Sequence, residues 1–296
     1  MVPGVEIADE ELRRPVRPRV GRTGFLNCVP LFWGLARTAA LLSIDLVEDT
    51  PDALAQRLLA GDLDVATVPV ADYLLNRDRL VLLPGIATSS DGPVMSCAIV
   101  SKVPIVGLEG RTFAIASSSP TCGRLAQLLL KRQEVEGPRY VTSSEDLRAA
   151  LQEADAIALT GDEVLRYAVD RAARGGLHVY DLGALWRRWT GLPFVFGVWA
   201  VRRDVAARAP HMVREVHGAL LAARDLAMTE AAELARRAAE WEVFDAVTLE
   251  HYFTRALDYS LSDRQLAGLT EFARCTGHED FTVDTTGPSA VFAPIT

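Results

Sequence analysis

Asp181-Leu-Gly-Ala-Leu-Trp-Arg-Arg-Trp-Thr-Gly-Leu-Pro-Phe-Val-Phe-Gly-Val-Trp-Ala-Val201 is the stretch whose reading decides the fold, and it holds three of the chain's five tryptophans. Asp181 to Trp189 reads as a short amphipathic helix. Gly191 stands where a helix ends in the left-handed conformation, and Pro193 blocks its resumption. Phe194 to Val201 is then apolar without alternation, which suits a strand buried on both faces. A short apolar run is also what plain core looks like, so the order of the surrounding elements has to decide.

Outward from that stretch, strand and helix alternate. Strands are expected at Arg19–Arg22, Ser43–Glu48, Asp64–Pro69, Val81–Ala87, Val94–Val100, Thr112–Ala116, Arg139–Thr142, Ala156–Leu159 and Leu177–Tyr180. Thr50-Pro51 caps a helix that runs to Ala60 and that Gly61 ends. Further helices are expected through Tyr73 to about Asn76, at Thr121–Lys131, near Ser144–Gln152 and over Gly161–Arg171. After Arg202 the pattern turns to helices only, about Pro210–Met228, Thr229–Glu240, Thr248–Leu257 and Ser262–Arg274, the last opened by a Ser262-x-x-Gln265 capping box.

This βαβ rhythm predicts an α/β protein of two parallel-sheet lobes joined by two crossover strands, with the C-terminal helices packed back on the first lobe. The expected division is a flexible N-terminal extension at 1–18, a discontinuous first lobe at 19–100 plus 204–296, and a second lobe at 101–203 that includes the hinge strands. The hinge itself is expected at about 101–108 and 198–203. Ligands in such folds sit in the cleft where strand ends and helix N-termini face one another.

Composition narrows the function. The 296 residues suffice for two cores, and 49% apolar with 24% charged residues is ordinary for a globular protein. A net charge of −8 argues against nucleic acid, whose phosphates need clustered Lys and Arg. The four cysteines, Cys28, Cys97, Cys122 and Cys275, show no metal-ligand spacing, and the five histidines are scattered, so neither a metal nor another cofactor is expected. Glu6, Asp9, Glu10 and Glu11 stand where a signal peptide needs an apolar core. No run approaches the roughly twenty apolar residues of a membrane span. The expectation is a cytoplasmic protein with reduced thiols and no membrane or nucleic-acid partner, either a monomer or a homodimer.

Four loops that follow strands can carry chemistry. In Gly24-Phe-Leu-Asn-Cys-Val-Pro-Leu31, Asn27 is an uncharged donor and acceptor among apolar residues, or else the cap of the next helix. Ser89-Ser90-Asp91-Gly92-Pro93-Val94-Met95-Ser96 offers hydroxyls and turn amides to a carboxylate, or is a common turn. Ser117-Ser118-Ser119-Pro120-Thr121-Cys122 leads into a helix whose first N–H groups and dipole suit an anion, or it is an N-cap cluster. In Leu159-Thr160-Gly161-Asp162, Gly161 permits close backbone approach, and Asp162 is a cap or a site acid.

Taken in order, these motifs and the 181–201 stretch resemble the chorismate dehydratases of the futalosine route to menaquinone, which have a two-lobed periplasmic-binding-protein-like fold of type II. The family's segments are "YLN–PL", "S–GPV–S", "S–TS", "IGD" and "DLG–W–TGLPFVFA–W", and Leu54 to Tyr73 is similar to "L–G–LDVGLIPS–Y". The resemblance runs from about Val20 to Phe272. It implies a catalytic Asn27 and substrate contacts from Ser89, Ser96, Ser119, Thr121, Cys122, Gly161 and Asp162. Cys122 stands where the family usually has Ser, leaving a weaker donor, and Thr160 replaces its Ile.

The substrate so implied is a small dianion, chorismate. It carries two carboxylates, a ring hydroxyl and an enolpyruvyl ether. Loss of water aromatises the ring, so the protein must hold both carboxylates and exclude water more than supply acid strength. None of the motifs offers a His or Lys as a base, which leaves a substrate carboxylate to take the proton. The alternatives are dihydroxynaphthoate synthase of the same pathway and a non-catalytic cytosolic protein that binds small carboxylates.

Overall fold

The computed structural model describes residues 17–170 and 175–282. The expected N-terminal extension falls outside them apart from Arg17 and Pro18, as does Arg171, the expected end of one helix. The chain opens with β1 (Arg19–Arg22), α1 (Val29–Arg37), β2 (Asp45–Glu48), α2 (Pro51–Ala60), β3 (Val65–Pro69), α3 (Val70–Leu75) and β4 (Leu80–Ser90). A second unit follows with β5 (Cys97–Ser101), β6 (Thr112–Ala116), α4 (Pro120–Arg132), β7 (Arg139–Ser143), α5 (Leu147–Glu153), β8 (Ala156–Thr160), α6 (Asp162–Val169), β9 (His178–Asp181) and α7 (Leu182–Thr190). The chain then returns through β10 (Phe194–Arg202) to α8 (Arg203–Arg208), α9 (Pro210–Thr229), α10 (Ala231–Ala238), α11 (Ala246–His251), a π-helical turn at Tyr252–Ala256 and α12 (Asp263–Cys275).

Two five-stranded sheets result, ordered β2-β1-β3-β10-β4 and β7-β6-β8-β5-β9. Each contains one strand from the crossing chain that runs antiparallel to both neighbours, β10 in the first and β5 in the second. The fold is the expected α/β two-lobed one. The C-terminal helices pack on the first lobe, with α9 against α1 and α12 against β10. Among the described residues no helix is long and apolar enough to cross a membrane.

Several local signals act as read, although the Thr50 hydroxyl at the start of α2 donates to Asp52 and caps no helix N–H. Pro51 sits in the first turn of α2, and Gly61 closes the helix at φ 96°. Gly191 ends α7 at φ 74°, and β10 runs buried through the middle of the first sheet. The N-cap backbone of Ser262 donates to Gln265 Oε1 at 3.2 Å, completing the capping box of α12.

The crossover positions differ from expectation. β4 ends at Ser90 in the first sheet and β5 begins at Cys97 in the second, while α7 ends at Thr190 and β10 lies wholly in the first sheet. The chain therefore crosses at 91–96 and 191–193, not at 101–108 and 198–203. An apolar strand reads the same in either sheet, so the run Phe194–Val201 alone could not say which lobe it joins.

One helix fastens both crossings. Asp181 caps α7 by accepting the Ala184 N–H at 2.9 Å, and it also accepts the Val94 and Met95 N–H groups of the first crossing at 3.1 and 2.7 Å. Met95 adopts φ 66°, a left-handed geometry that costs a non-glycine residue energy and that this bond holds in place. Burial pushes the Asp181 carboxyl upward, and its N–H partners pull the other way. On the next turn Arg187 meets Asp91 at 2.7 Å, which Arg264 of α12 also contacts at 3.0 Å. Trp186, fully buried, donates to the Pro193 carbonyl at 3.1 Å and packs edge-on to Phe194 and Phe272.

Gly268 of α12 lies against the same Pro193 carbonyl, so closely that a methyl group there would overlap it. Gly268→Ala separates two effects of opposite sign. In an exposed helix the change stabilises by about 1 kcal/mol. Here overlap with backbone is expected to destabilise by about 1–3 kcal/mol, read as a lower urea midpoint at unchanged slope.

Candidate functional site

Between the lobes lies a cavity of about 580 Å³, a volume that includes the open solvent at its mouth. The first lobe lines it with Thr23, Phe25, Asn27 and Cys28 after β1, with Thr67 and Pro69 at the end of β3, with Thr88 of β4, and with Phe196 and Gly197 of β10. The second lobe supplies Cys97, the turn from Ser118 to Cys122, and Thr160. The lining comes from the carboxyl ends of β1, β3, β4 and β8, from the beginnings of the oppositely directed β5 and β10, and from the start of α4, where a two-sheet fold concentrates unpaired backbone groups. Among the described lining residues none carries a charge.

Asn27 lines this cavity from a single 3-10 turn, Leu26–Cys28, and its Oδ1 is buried with no hydrogen-bond partner. Ser119 and Thr121 also line it. Each hydroxyl oxygen accepts a backbone N–H, Ser119 from Thr160 at 3.2 Å and Thr121 from Ala71 at 3.1 Å, so each keeps its own proton to donate. The first intrahelical bond of α4 runs from Gly123 to Ser119, and Pro120 has no N–H. The N–H groups of Thr121 and Cys122 are then the free donors of the first turn, at the positive end of the dipole. Cys122 is part of the lining, and its thiol donates to the Leu159 carbonyl at 3.2 Å. Thr160 likewise spends its proton on the Ser96 carbonyl at 2.9 Å.

The remaining expected residues sit around the cavity. Ser89 is buried outside the lining, and its hydroxyl donates to the Asp258 carbonyl at 2.9 Å. Ser96 ends the first crossing, where its carbonyl also accepts the Gly161 N–H at 2.9 Å. Gly161 packs on Phe25, and Asp162 accepts the Leu26 N–H. Asp91, on the outer side, is paired with two arginines rather than directed at a ligand.

Sequence reading passed over Ser118, Thr67 and Thr88. Ser118 is 3% exposed, lines the cavity, and its Oγ has no partner. The Ser117-Ser118-Ser119 run was its signal, but a capping argument selects the residue next to the helix. Thr67 is the lone hydroxyl of the otherwise apolar β3, whereas Thr88 stands beside Ser89 and Ser90 at the end of β4.

Thiol chemistry does not suit the site. Cys28 and Cys97 line the cavity, and burial pushes both thiols up, Cys97 well above its ordinary value, which keeps them protonated and unreactive at neutral pH. Among the described residues no group of His, Cys, Asp or Glu could hold a metal ion.

A family model described as menaquinone biosynthesis matches residues 18–278. The chain is 30% identical to the chorismate dehydratase of Thermus thermophilus, over 88% of this chain and 96% of that one. It resembles in fold a protein of Archaeoglobus fulgidus, with a TM-score of 0.60 and 21% identity over 88% of this chain and 98% of that one. It also resembles an alkanesulfonate-binding protein of Xanthomonas axonopodis pv. citri, with a TM-score of 0.66 and 16% identity over 94% of this chain and 98% of that one.

The two serines before α4 make opposite predictions for the ligand-free protein. Ser119→Ala strands a buried N–H and is expected to cost about 1–3 kcal/mol of stability. Ser118→Ala deletes a hydroxyl that has no partner to lose, and stability should hold or rise. Equal losses in chemical denaturation would show that Ser118 belongs to the fold and not to the site.

Proposed function

The chain belongs to the menaquinone biosynthesis family, and from that premise we propose that it is a hydro-lyase that dehydrates chorismate to 3-[(1-carboxyvinyl)oxy]benzoate in the futalosine route. The observation that carries this reading is the cavity itself, uncharged and lined by hydroxyls, with Asn27 Oδ1 and Ser118 Oγ buried and unpartnered. The name of the Thermus thermophilus relative supports the substrate.

One carboxylate, the ring and the reacting face of the proposed ligand have counterparts in the lining. A carboxylate takes the hydroxyl protons of Ser118, Ser119 and Thr121 and the free N–H groups of Thr121 and Cys122. The ring lies among the apolar side chains, Phe25 and Phe196 included. Asn27 hydrogen-bonds the reacting face and fixes its geometry. The ring C–H beside the ether breaks, its proton passes to a substrate carboxylate, and the adjacent C–O bond breaks as the hydroxyl leaves with that proton as water. Formation of the aromatic ring drives both cleavages.

A neutral site holds a dianion by oriented dipoles, which act strongly where water is excluded. Dihydroxynaphthoate synthase is the weaker alternative, because among the described lining residues there is no histidine to serve as an acid or base.

Purified protein incubated with chorismate should bleach the diene absorbance and release an equimolar aromatic product. Bound but unchanged chorismate would favour the carboxylate-binding alternative. Asn27→Ala is expected to lower kcat/KM by roughly 100-fold, the scale of a lost preorganised hydrogen bond, with little change in stability. Asn27→Asp should be worse than its near-identical size suggests, since it places a charge beside a dianion at a cost of about 1–4 kcal/mol. Full activity in the Asp variant would remove Asn27 from the site.

A further inference from the structure

The loop that carries Asn27 is held from the opposite lobe. The Leu26 N–H, one residue before Asn27, reaches both carboxyl oxygens of Asp162, at 3.1 and 3.3 Å. Leu26 is 2% exposed and opens the 3-10 turn, so this N–H has no acceptor within its own turn. Asp162 is the first residue of α6, in the second lobe, and it does not line the cavity.

Two further contacts cross the cleft beside it. Gly161, at φ 117°, lies against the Phe25 ring, where a methyl group would stand 3.2 Å from the nearest ring atom. The Ala71 N–H at the start of α3 donates to Thr121 Oγ1 of α4. All three join the first lobe to the second, so all three are lost when the lobes part.

We propose that Asp162 is a positioning residue that, by holding the Leu26 N–H across the cleft, sets the orientation of Asn27 and completes the site only when the lobes are closed. The proposal rests on the reading of Asn27 as the residue that orients the reacting groups. It gives Asp162 a role different from a direct substrate contact, and one suited to an acid, which beside a dianion would be repulsive.

The same arrangement makes closure sensitive to pH. Burial is the main cause that pushes the Asp162 carboxyl up to about 6, the Leu26 N–H pulls it down, and Glu242, from the segment between α10 and α11, pushes it up further. The other ionisable groups that interact with it are Cys28 beside Asn27 and Tyr252 after α11, both raised by burial and so neutral. With the lobes apart the carboxyl regains water and its ordinary value near 3.8. Closing therefore takes up protons in the window between these values. The closed state gains as pH falls through 6 and loses as pH rises through it. At neutral pH the buried charge opposes closure of the empty protein, and bound substrate must supply the difference.

Amide hydrogen exchange at Leu26 and steady-state chorismate turnover, on wild type, Asp162→Ala and Asp162→Asn from pH 5 to 8, test this. Asp162→Ala should speed Leu26 exchange by about tenfold or more and lower kcat at least as much, while KM moves by less than about threefold. Asp162→Asn should restore protection and most of kcat, because its amide oxygen still accepts the N–H. After correction for intrinsic exchange, wild-type protection should fall as pH rises from 5 to 7, and that of Asp162→Asn should stay flat. Unchanged Leu26 exchange in Asp162→Ala would overturn the bridge. Faster exchange with undiminished kcat would overturn the positioning role, and so would an Asn variant as slow as the Ala variant. A wild type inert to chorismate would instead overturn the function proposed above, and Leu26 exchange would still decide the bridge.

Discussion

The Asp181 carboxylate is the interaction on which the two-lobed arrangement depends. The sheets share no strand, and among the described residues the chain passes between them at two places, 91–96 and 191–193. Left to themselves, two short connections would let the lobes sit at many angles. Asp181 narrows that freedom at the first crossing by binding the Val94 and Met95 N–H groups, and Trp186 and Arg187, one turn on, reach the second crossing and Asp91. A buried carboxylate is a costly choice of fastener, offset here by several charge-assisted bonds in one place. It holds donors from two separated segments with one group, which an apolar contact could not do.

That helix was the most legible part of the sequence, and the position of the crossings was the least. Gly191 and Pro193 ended α7 by local backbone rules that no distant contact can override cheaply. Which sheet β10 joins is decided by pairing with β3 and β4, more than a hundred residues away. The turn residues Asp91-Gly92-Pro93 and Gly191-Leu192-Pro193 were the usable markers of both crossings. The short helix α1 was hidden for a related reason. Gly34 lowers its helix propensity, yet glycine is what lets α1 approach the Ala223 backbone of α9.

Three of the four motifs, at 24–31, 117–122 and 159–162, contribute to the cavity lining, and the one at 89–96 does not. Asn27, Ser119, Thr121 and Cys122 line the cavity, with the Cys122 proton given to Leu159, whereas Ser89 lies outside it, tied to Asp258. The difference is set by partners on other segments. Thr160 and Ala71 supply the N–H groups that orient Ser119 and Thr121, and nothing comparable reaches Ser118, whose oxygen is left free. Spacing along the chain can nominate a polar turn. Which of its oxygens remains unpaired is a three-dimensional fact.

Desolvation unites these observations. The cavity wall raises the Cys28 and Cys97 thiols and, just behind it, the Asp162 carboxyl, because each would have to carry charge with little water around it. Such an environment disfavours the protein's own charges, and among the described lining residues there is no charged side chain to act as a base. It also strengthens every neutral dipole turned inward, since hydroxyls and helix-start N–H groups act there without competition from water. A reaction driven by aromatisation needs this second property more than the first. The proton can travel on the substrate itself, provided that the ring is held still and water is kept out. On this view the bridge from Asp162 to Leu26 and the uncharged lining belong to one device. In the mechanism proposed above, closure of the lobes strengthens the dipoles, fixes Asn27 in place and dries the cleft.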